Sequence, residues 1–302
     1  KQEAKQEAKQ EAKQEAKQEA KQVKGLVLEL PEESFDKITS AADAYRAGET
    51  KSFAEGSFGK VSKYTNPDYK DFVVKSMNDR KEARDECKIH QELTHSGIVR
   101  IEDSFKHHGE WCIIMQRCEQ DLLDFLDKPV YQTDFSVSRR LSLFHELMIA
   151  VAWMHGEGIA HRDFKPENVL LDKDGKLKIC DFGFATKDTV SSQMCCTPEF
   201  AAPELILGAE YSPVQVDIFS LGIMLYIVMT CAMPYRTKNV WDGTRTIYYG
   251  PVNYDKTFNT ALAQQWMAND VWDLFKAMTS EDQAARPTAA KVVEKLEEIL
   301  KP

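Results

Sequence analysis

His161-Arg162-Asp163-Phe164-Lys165-Pro166-Glu167-Asn168, with Asp181-Phe182-Gly183 shortly after it, is the stretch of this 302-residue chain that decides its fold. The residue types point to one kind of chemistry. Asp163 is a carboxylate that can orient an attacking hydroxyl and accept its proton. Asn168 and Asp181 offer oxygen, the ligand that a hard cation such as Mg²⁺ prefers. Lys165, two residues beyond Asp163, can neutralise charge on a migrating phosphoryl group. A bland reading, a turn and hairpin with incidental carboxylates, fits three residues but not the whole ordered string.

Upstream, Ala54-Glu55-Gly56-Ser57-Phe58-Gly59-Lys60-Val61 sits between two strand-like runs. Glycines in such a hairpin let backbone N–H groups approach phosphates closely. A two-glycine turn is weak evidence alone, and it gains weight from Lys75 and Glu86 downstream. Lys75 closes the strand-like run Asp71–Lys75, and a helical pattern around Arg80–Leu93 then carries Glu86. An ion pair between them would hold the ammonium against phosphate oxygens. Glu82, Asp85 and Glu92 compete for that role, and register favours Glu86.

Composition bounds the rest. With 43% hydrophobic residues the chain can bury a large core, and a net charge of −9 argues against nucleic acid or an anionic membrane as main partner. An acidic surface suits basic peptides instead. Seven cysteines without framework spacing suit a reducing compartment, the cytoplasm first and the nucleus second. No basic-then-apolar leader is present. The apolar stretch Ile218–Met233 is short for a bilayer and reads as a buried core helix. Residues 1–22 repeat Lys-Gln-Glu-Ala. A period of four stacks like charges at i,i+4, which costs a few tenths of a kcal/mol each, so a lone solvated helix or a disordered lead is expected.

From Val23 the texture is β-like: 25–30, 59–64, 71–75 and 111–115, with the one helical pattern already noted. After Leu122 it is helical: 138–155, 214–231, 265–279 and 288–300, with a hairpin over 169–179 turning at Asp174-Gly175. The expected fold class is α+β. Residues 1–22 form the repeat, 23–118 a small antiparallel β-sheet lobe that binds nucleotide and ends in a hinge, and 119–302 a larger, mainly helical lobe.

These motifs, in this order, resemble the Ser/Thr branch of the eukaryotic protein kinase family over about Phe53–Leu300, with Ala202-Pro203-Glu204, Asp217-Ile-Phe-Ser-Leu-Gly222 and Arg286-Pro287 adding to the match. The text around 159–183 looks nearest the calcium/calmodulin-dependent and AMP-activated-like subgroup. The resemblance implies a bilobal fold and ATP-dependent transfer to protein Ser/Thr hydroxyls with ATP and Mg²⁺. It implies that Gly56, Gly59 and Val61 cover the nucleotide, with Ala54, Val73 and Leu170 in the same set. Gln116 to Cys118 would be the hinge that bonds adenine, with Met115 guarding the pocket behind it. Asp163 would be the catalytic base, aided by Lys165, Lys75 and Glu86. Asn168 and Asp181 would hold Mg²⁺. Glu204 and Arg286 would pair, and Asp217 would brace the catalytic loop. Asp121 and Glu167 stand where basophilic relatives bind an upstream Arg or Lys of the substrate. Thr197 would make a structural bond near Lys165. Arg162 would meet a phosphate on Thr189, Ser191 or Ser192, placed there by an upstream kinase or by self-phosphorylation, with Lys187 adding a second cation.

Ala54 replaces the loop's first glycine, Val73 a usual alanine, Cys196 a glycine and Phe219 a tryptophan. None removes a group meant to touch Mg²⁺ or the phosphoryl. Ala54, Val73 and the charged repeat motivate a second reading, a catalytically weak kinase-like scaffold. Retention of Lys75, Asp163, Asn168 and Asp181 weighs against it. A third, transfer to a small metabolite, is disfavoured by Ala202-Pro203-Glu204 and Thr197. His90, four residues after Glu86, reads as a bland core or edge histidine.

Overall fold

A computed structural model of the chain describes residues 35–56, 59–195, 197–234, 239–241, 245–247 and 260–301. The Lys-Gln-Glu-Ala repeat, the strand-like run 25–30 and the loop tip Ser57-Phe58 lie outside these residues.

The first described element is a helix, α1 (Phe35–Arg46), and then β1 (Thr50–Gly56), β2 (Gly59–Tyr64) and β3 (Phe72–Asn78) build an antiparallel meander. After α2 (Lys81–Glu92) come β4 (Ile101–His107) and β5 (Glu110–Gln116), giving one five-stranded antiparallel sheet of order β1-β2-β3-β5-β4. β3 is central and buried along all but its last residue.

The pleat alternates side chains between two faces. Phe72 and Val74 of β3 join Cys112 and Ile114 of β5, with Tyr64 and Phe105, against Ala41, Ala42 and Ala44 of α1. On the other face, Met77 and Ile113 pack with Ala83 and Cys87 of α2. Lys75 shares the parity of Met77, and it stands opposite Val61 on β2 and Ile113 on β5. Val73 stands opposite Met115. The nucleotide-facing set of the sequence reading is thus on one face, and α1 seals the other.

Beyond the hinge, β6 (Gln120–Asp121) leads into α3 (Leu122–Leu126), α4 (Pro129–Asp134) and the long α5 (Val137–Gly156). Ser136 caps α5, its hydroxyl accepting from Arg139 N. β7 (Val169–Leu171) and β8 (Leu177–Ile179) form the expected hairpin and extend β6 into a three-stranded sheet. Val99 N and Ile179 N bond across to Ile179 O and Gly97 O, which fastens the lobes together beside the hairpin. The chain continues through α6 (Pro203–Ile206), α7 (Pro213–Thr230), a β9–β10 ribbon (Asn239–Trp241, Arg245–Ile247), α8 (Thr260–Trp266), α9 (Asn269–Met278) and α10 (Ala289–Leu300). α7 is apolar all round because it is the core: 89% of it is buried, and α5, α9 and α10 pack into the same cluster. The apolar stretch over 218–233 is the buried helix that its length suggested as far as Thr230, where Cys231 turns left-handed and ends it.

Two expectations need correction. Residues 35–46 form a helix inside a region read as β-like. Its small alanine face is stabilised by docking on the sheet, which local propensity cannot register. The helix expected over 265–279 is two. Ala268 is extended (φ −60, ψ 162) and caps α9, so the chain breaks without Gly or Pro. The last lobe also holds the β9–β10 ribbon, in the stretch between 231 and 265 to which the sequence reading assigned no element.

Candidate active site

The catalytic loop is anchored from below. Asp217, fully buried near the start of α7, accepts His161 N at 2.8 Å and Arg162 N at 2.7 Å, and lies 2.9 Å from His155 Nε2. Arg162 has φ +66, a left-handed conformation costly for an arginine, and these bonds hold it there. The turn thrusts Asp163 upward, as the sequence reading of Asp217 implied.

Asp163 is 5% exposed and its carboxylate is bonded on both sides. Oδ1 accepts Thr197 N at 2.9 Å and Thr197 Oγ1 at 2.7 Å. Oδ2 accepts Asn168 Nδ2 at 3.0 Å and lies 3.0 Å from Lys165 Nζ. Lys165 Nζ also donates to Thr197 Oγ1 at 2.8 Å. The bond expected of Thr197 is therefore present, and Thr197 also holds the carboxylate itself. Asn168 spends its nitrogen on the loop, donating to Asp163 O at 2.8 Å as well, which leaves its oxygen as the atom able to meet a cation.

From the sheet side, Lys75 Nζ donates to Glu86 Oε1 at 2.6 Å and to Asp181 Oδ1 at 2.9 Å. Register had favoured Glu86, and the pair forms. Burial opposes the charge on Lys75, but Glu86 and Asp181 outweigh it and raise its pKa. Burial works to raise Asp181, and Lys75 overcomes that, so its carboxyl is lowered and stays ionised. Asp181 has φ +62 and a side chain 26% exposed, so it keeps a face open beside the lysine. Asn168 and Asp181 are hard oxygen donors of the kind Mg²⁺ takes, and the site fits that ion.

Phe182 turns inward, between His90 of α2 (centroids 4.5 Å apart) and His161 (5.1 Å). His90 is 3% exposed, bonds Val99 O through Nε2 at 2.6 Å, and is pushed down to about 4 by burial. It is the neutral core histidine that the sequence suggested. The tilted ring contacts His90–Phe182–His161 link α2 to the catalytic loop, and their sequence signal was only the i,i+4 spacing of Glu86 and His90.

The nucleotide wall is closely built. Gly59 has φ +131, and a Cβ there would lie 2.4 Å from Ser76 O, so only glycine lets β2 run this close to β3. A cavity of about 510 Å³ opens beside it, lined by Glu55, Gly59, Met77, Glu86, Gly183 and Phe184 among others. At the hinge the expectation narrows. Gln116 N bonds Arg100 O, Arg117 N bonds Asp71 O, and Glu119 N bonds Leu171 O. Among the described residues Cys118 N alone of these four makes no such bond.

Asp121 does a structural job that sequence reasoning missed: its carboxylate caps α3, accepting Asp124 N at 2.8 Å. Glu167 is exposed. Leu170 pairs with Asp121 across β6 and β7. Arg286 grips Glu204 through Nη1 at 2.6 Å and Nη2 at 2.8 Å, and lies over Phe219, 5.0 Å from the ring centroid. Of the activation-segment hydroxyls, Ser191 reaches Arg162, at 3.4 Å, while Thr189 and Ser192 are exposed. Lys187 pairs with Glu92 of α2 and is not the second cation expected beside Arg162.

The model of the protein kinase domain family matches residues 49–296. Similar relatives include "Serine/threonine-protein kinase kin-29" of Caenorhabditis briggsae, 31% identical over 68% of this chain and 28% of the relative. The "Carbon catabolite-derepressing protein kinase" of Candida glabrata is 30% identical over 70% of this chain and 38% of its own. "Testis-specific serine/threonine-protein kinase 1" of Homo sapiens is 32% identical over 67% and 60%. The chain thus spans from 28% to 60% of the length of these three relatives.

Proposed function

The chain belongs to the protein kinase domain family, and from that membership we infer that it transfers the γ-phosphoryl group of ATP to Ser and Thr hydroxyls of protein substrates. The observation that carries this reading is the closed set Asp163–Lys165–Asn168–Thr197 facing the Lys75–Glu86–Asp181 set. The serine/threonine specificity of the named relatives supports the choice of hydroxyl.

In this reading Asp163 accepts the proton of the incoming hydroxyl. Thr197 and Asn168 hold its two oxygens apart, so one rotamer presents a fixed lone pair. Lys75, steadied by Glu86, holds phosphate oxygens, and Lys165 offsets charge that develops near Asp163. Asn168 and Asp181 would hold Mg²⁺. ATP with its metal supplies the phosphoryl group and its electrophilic character. The chain contributes position and preset charge, which need no reorganisation during transfer. Cys118 N would donate to adenine at the hinge.

The scaffold alternative rested on Ala54, Val73 and the charged repeat. The two substitutions lie on the sheet away from the Asp163 network, and Lys75, Asp163, Asn168 and Asp181, which scaffolds of this kind commonly lose, are all retained. Glu167 and the half-spent carboxylate of Asp121 support a preference for basic residues upstream of the target. The free thiols of the six described cysteines suit the cytoplasm. Incubation with labelled ATP, Mg²⁺ and a degenerate Ser/Thr/Tyr peptide library tests the reading. Label on Ser or Thr peptides is expected. Absence of label, or label on Tyr alone, would refute it.

A further inference from the structure

The segment between Gly183 and Glu204 is tied down at successive points by bonds made within the chain. Thr186 exchanges two backbone bonds with Ala160, each of 2.9 Å. Lys187 pairs with Glu92 on α2. Ser191 exchanges two backbone bonds with Tyr211, of 2.9 and 2.8 Å. Thr197 closes on Asp163.

Tyr211 is the centre of this arrangement. It sits between α6 and α7 and is 2% exposed. Its hydroxyl donates to Gln193 O at 2.6 Å and accepts from Arg162 Nη1 at 3.3 Å. The same Nη1 reaches Ser191 Oγ, and Arg162 Nε donates to Phe184 O at 2.6 Å. The guanidinium next to the catalytic Asp163 is thus wired to the start of the segment at Phe184 and to its middle at Ser191. Burial raises the phenol pKa above its ordinary value, so the hydroxyl remains a proton donor throughout the neutral range. A buried cation of this kind needs oxygen acceptors to offset its lost hydration, and a carbonyl, a phenol and a serine supply them.

We propose that Tyr211 is a positioning residue whose phenol orders the activation segment on Arg162, so that phosphoryl transfer by this chain does not depend on phosphorylation of Thr189, Ser191 or Ser192. The proposal rests on the kinase reading above. It reverses the role that the sequence assigned to Arg162: the acceptor that a phosphate would provide is provided by the chain itself. Thr189 and Ser192 make no hydrogen bond among the described residues, and Ser191 Oγ already accepts from Gln193 N at 3.1 Å.

The test measures steady-state kcat and the KM for ATP of wild type and Tyr211→Phe, each before and after phosphatase treatment, with melting temperature and tryptic cleavage after Lys187 monitored in parallel. Phosphatase is expected to leave wild-type kcat unchanged. Tyr211→Phe removes one oxygen and keeps the ring. Dephosphorylated, it should lose about 10-fold in kcat, the equivalent of one hydrogen bond to a charged group. Its KM for ATP and melting temperature should hold, while cleavage after Lys187 quickens. An active wild type that phosphatase silences overturns the proposal, as does a dephosphorylated Tyr211→Phe with full kcat. If Tyr211→Phe fails to fold, the phosphatase arm on wild type decides alone. A wild type that transfers no phosphoryl group in any arm overturns the kinase reading itself.

Discussion

Glu204 and Arg286 allow the tightest energetic test of the helical lobe. Their side chains are 9% and 0% exposed, and the pair is bidentate at 2.6 and 2.8 Å. Arg286 also donates to Ser280 O at 2.8 Å and Gln215 O at 2.9 Å. Glu204→Gln leaves the guanidinium with carbonyl partners but no counter-charge, and removing one member of a buried pair costs about 3–5 kcal/mol. Arg286→Met strands the carboxylate and releases the two carbonyls, so it should cost at least as much. The double variant removes both charges, and a coupling of about 1–3 kcal/mol is expected between the two sites. Guanidinium unfolding read by tryptophan fluorescence, extrapolated to water, measures all three. Single variants costing under about 1 kcal/mol, the value of an exposed pair, would refute the assignment of a buried one. So would strictly additive costs.

Lys75→Met should abolish transfer and also lower the unfolding midpoint, because it strands the buried carboxylate of Glu86; retained turnover would count against the assignment. Gly59→Ala should weaken both stability and nucleotide affinity, since its Cβ would fall 2.4 Å from Ser76 O at φ +131; unfolding and ATP titration would show it. Acid should destabilise the fold through His90, whose folded pKa of about 4 lies below its ordinary 6.5. The unfolded chain binds that proton first, so the stability is whole above pH 6.5 and is lost progressively down to about 4. His90→Leu should flatten this part of the stability-against-pH curve, and an unchanged slope would contradict the burial argument.

The chemistry was easier to read from sequence than the packing, for a physical reason. Asp163, Lys165 and Asn168 are close in the chain, and their spacing is set by one loop, so the sequence records their geometry. Lys75 and Glu86 were paired through strand and helix register, which is also local. Helix α1 escaped because its alanines are held by a sheet that forms far along the chain. The break at Ala268 escaped because apolar periodicity runs on through Met267, which is buried. Tyr211 escaped for the same reason as α1. Nothing near it in sequence signals that a tyrosine between two helices meets Arg162 and Gln193. Which of the N–H groups over 116–119 is left without a backbone partner among the described residues depends on Arg100, Asp71 and Leu171, three unrelated segments.

The most direct test of the whole account is single-turnover phosphoryl transfer by Asp163→Asn beside wild type, with ATP binding measured on the same samples. The substitution keeps the shape and removes the proton acceptor. Loss of about 10²–10⁴ in rate with ATP affinity preserved is the result predicted for a catalytic base. An Asp163→Asn protein that transfers at the wild-type rate would contradict it.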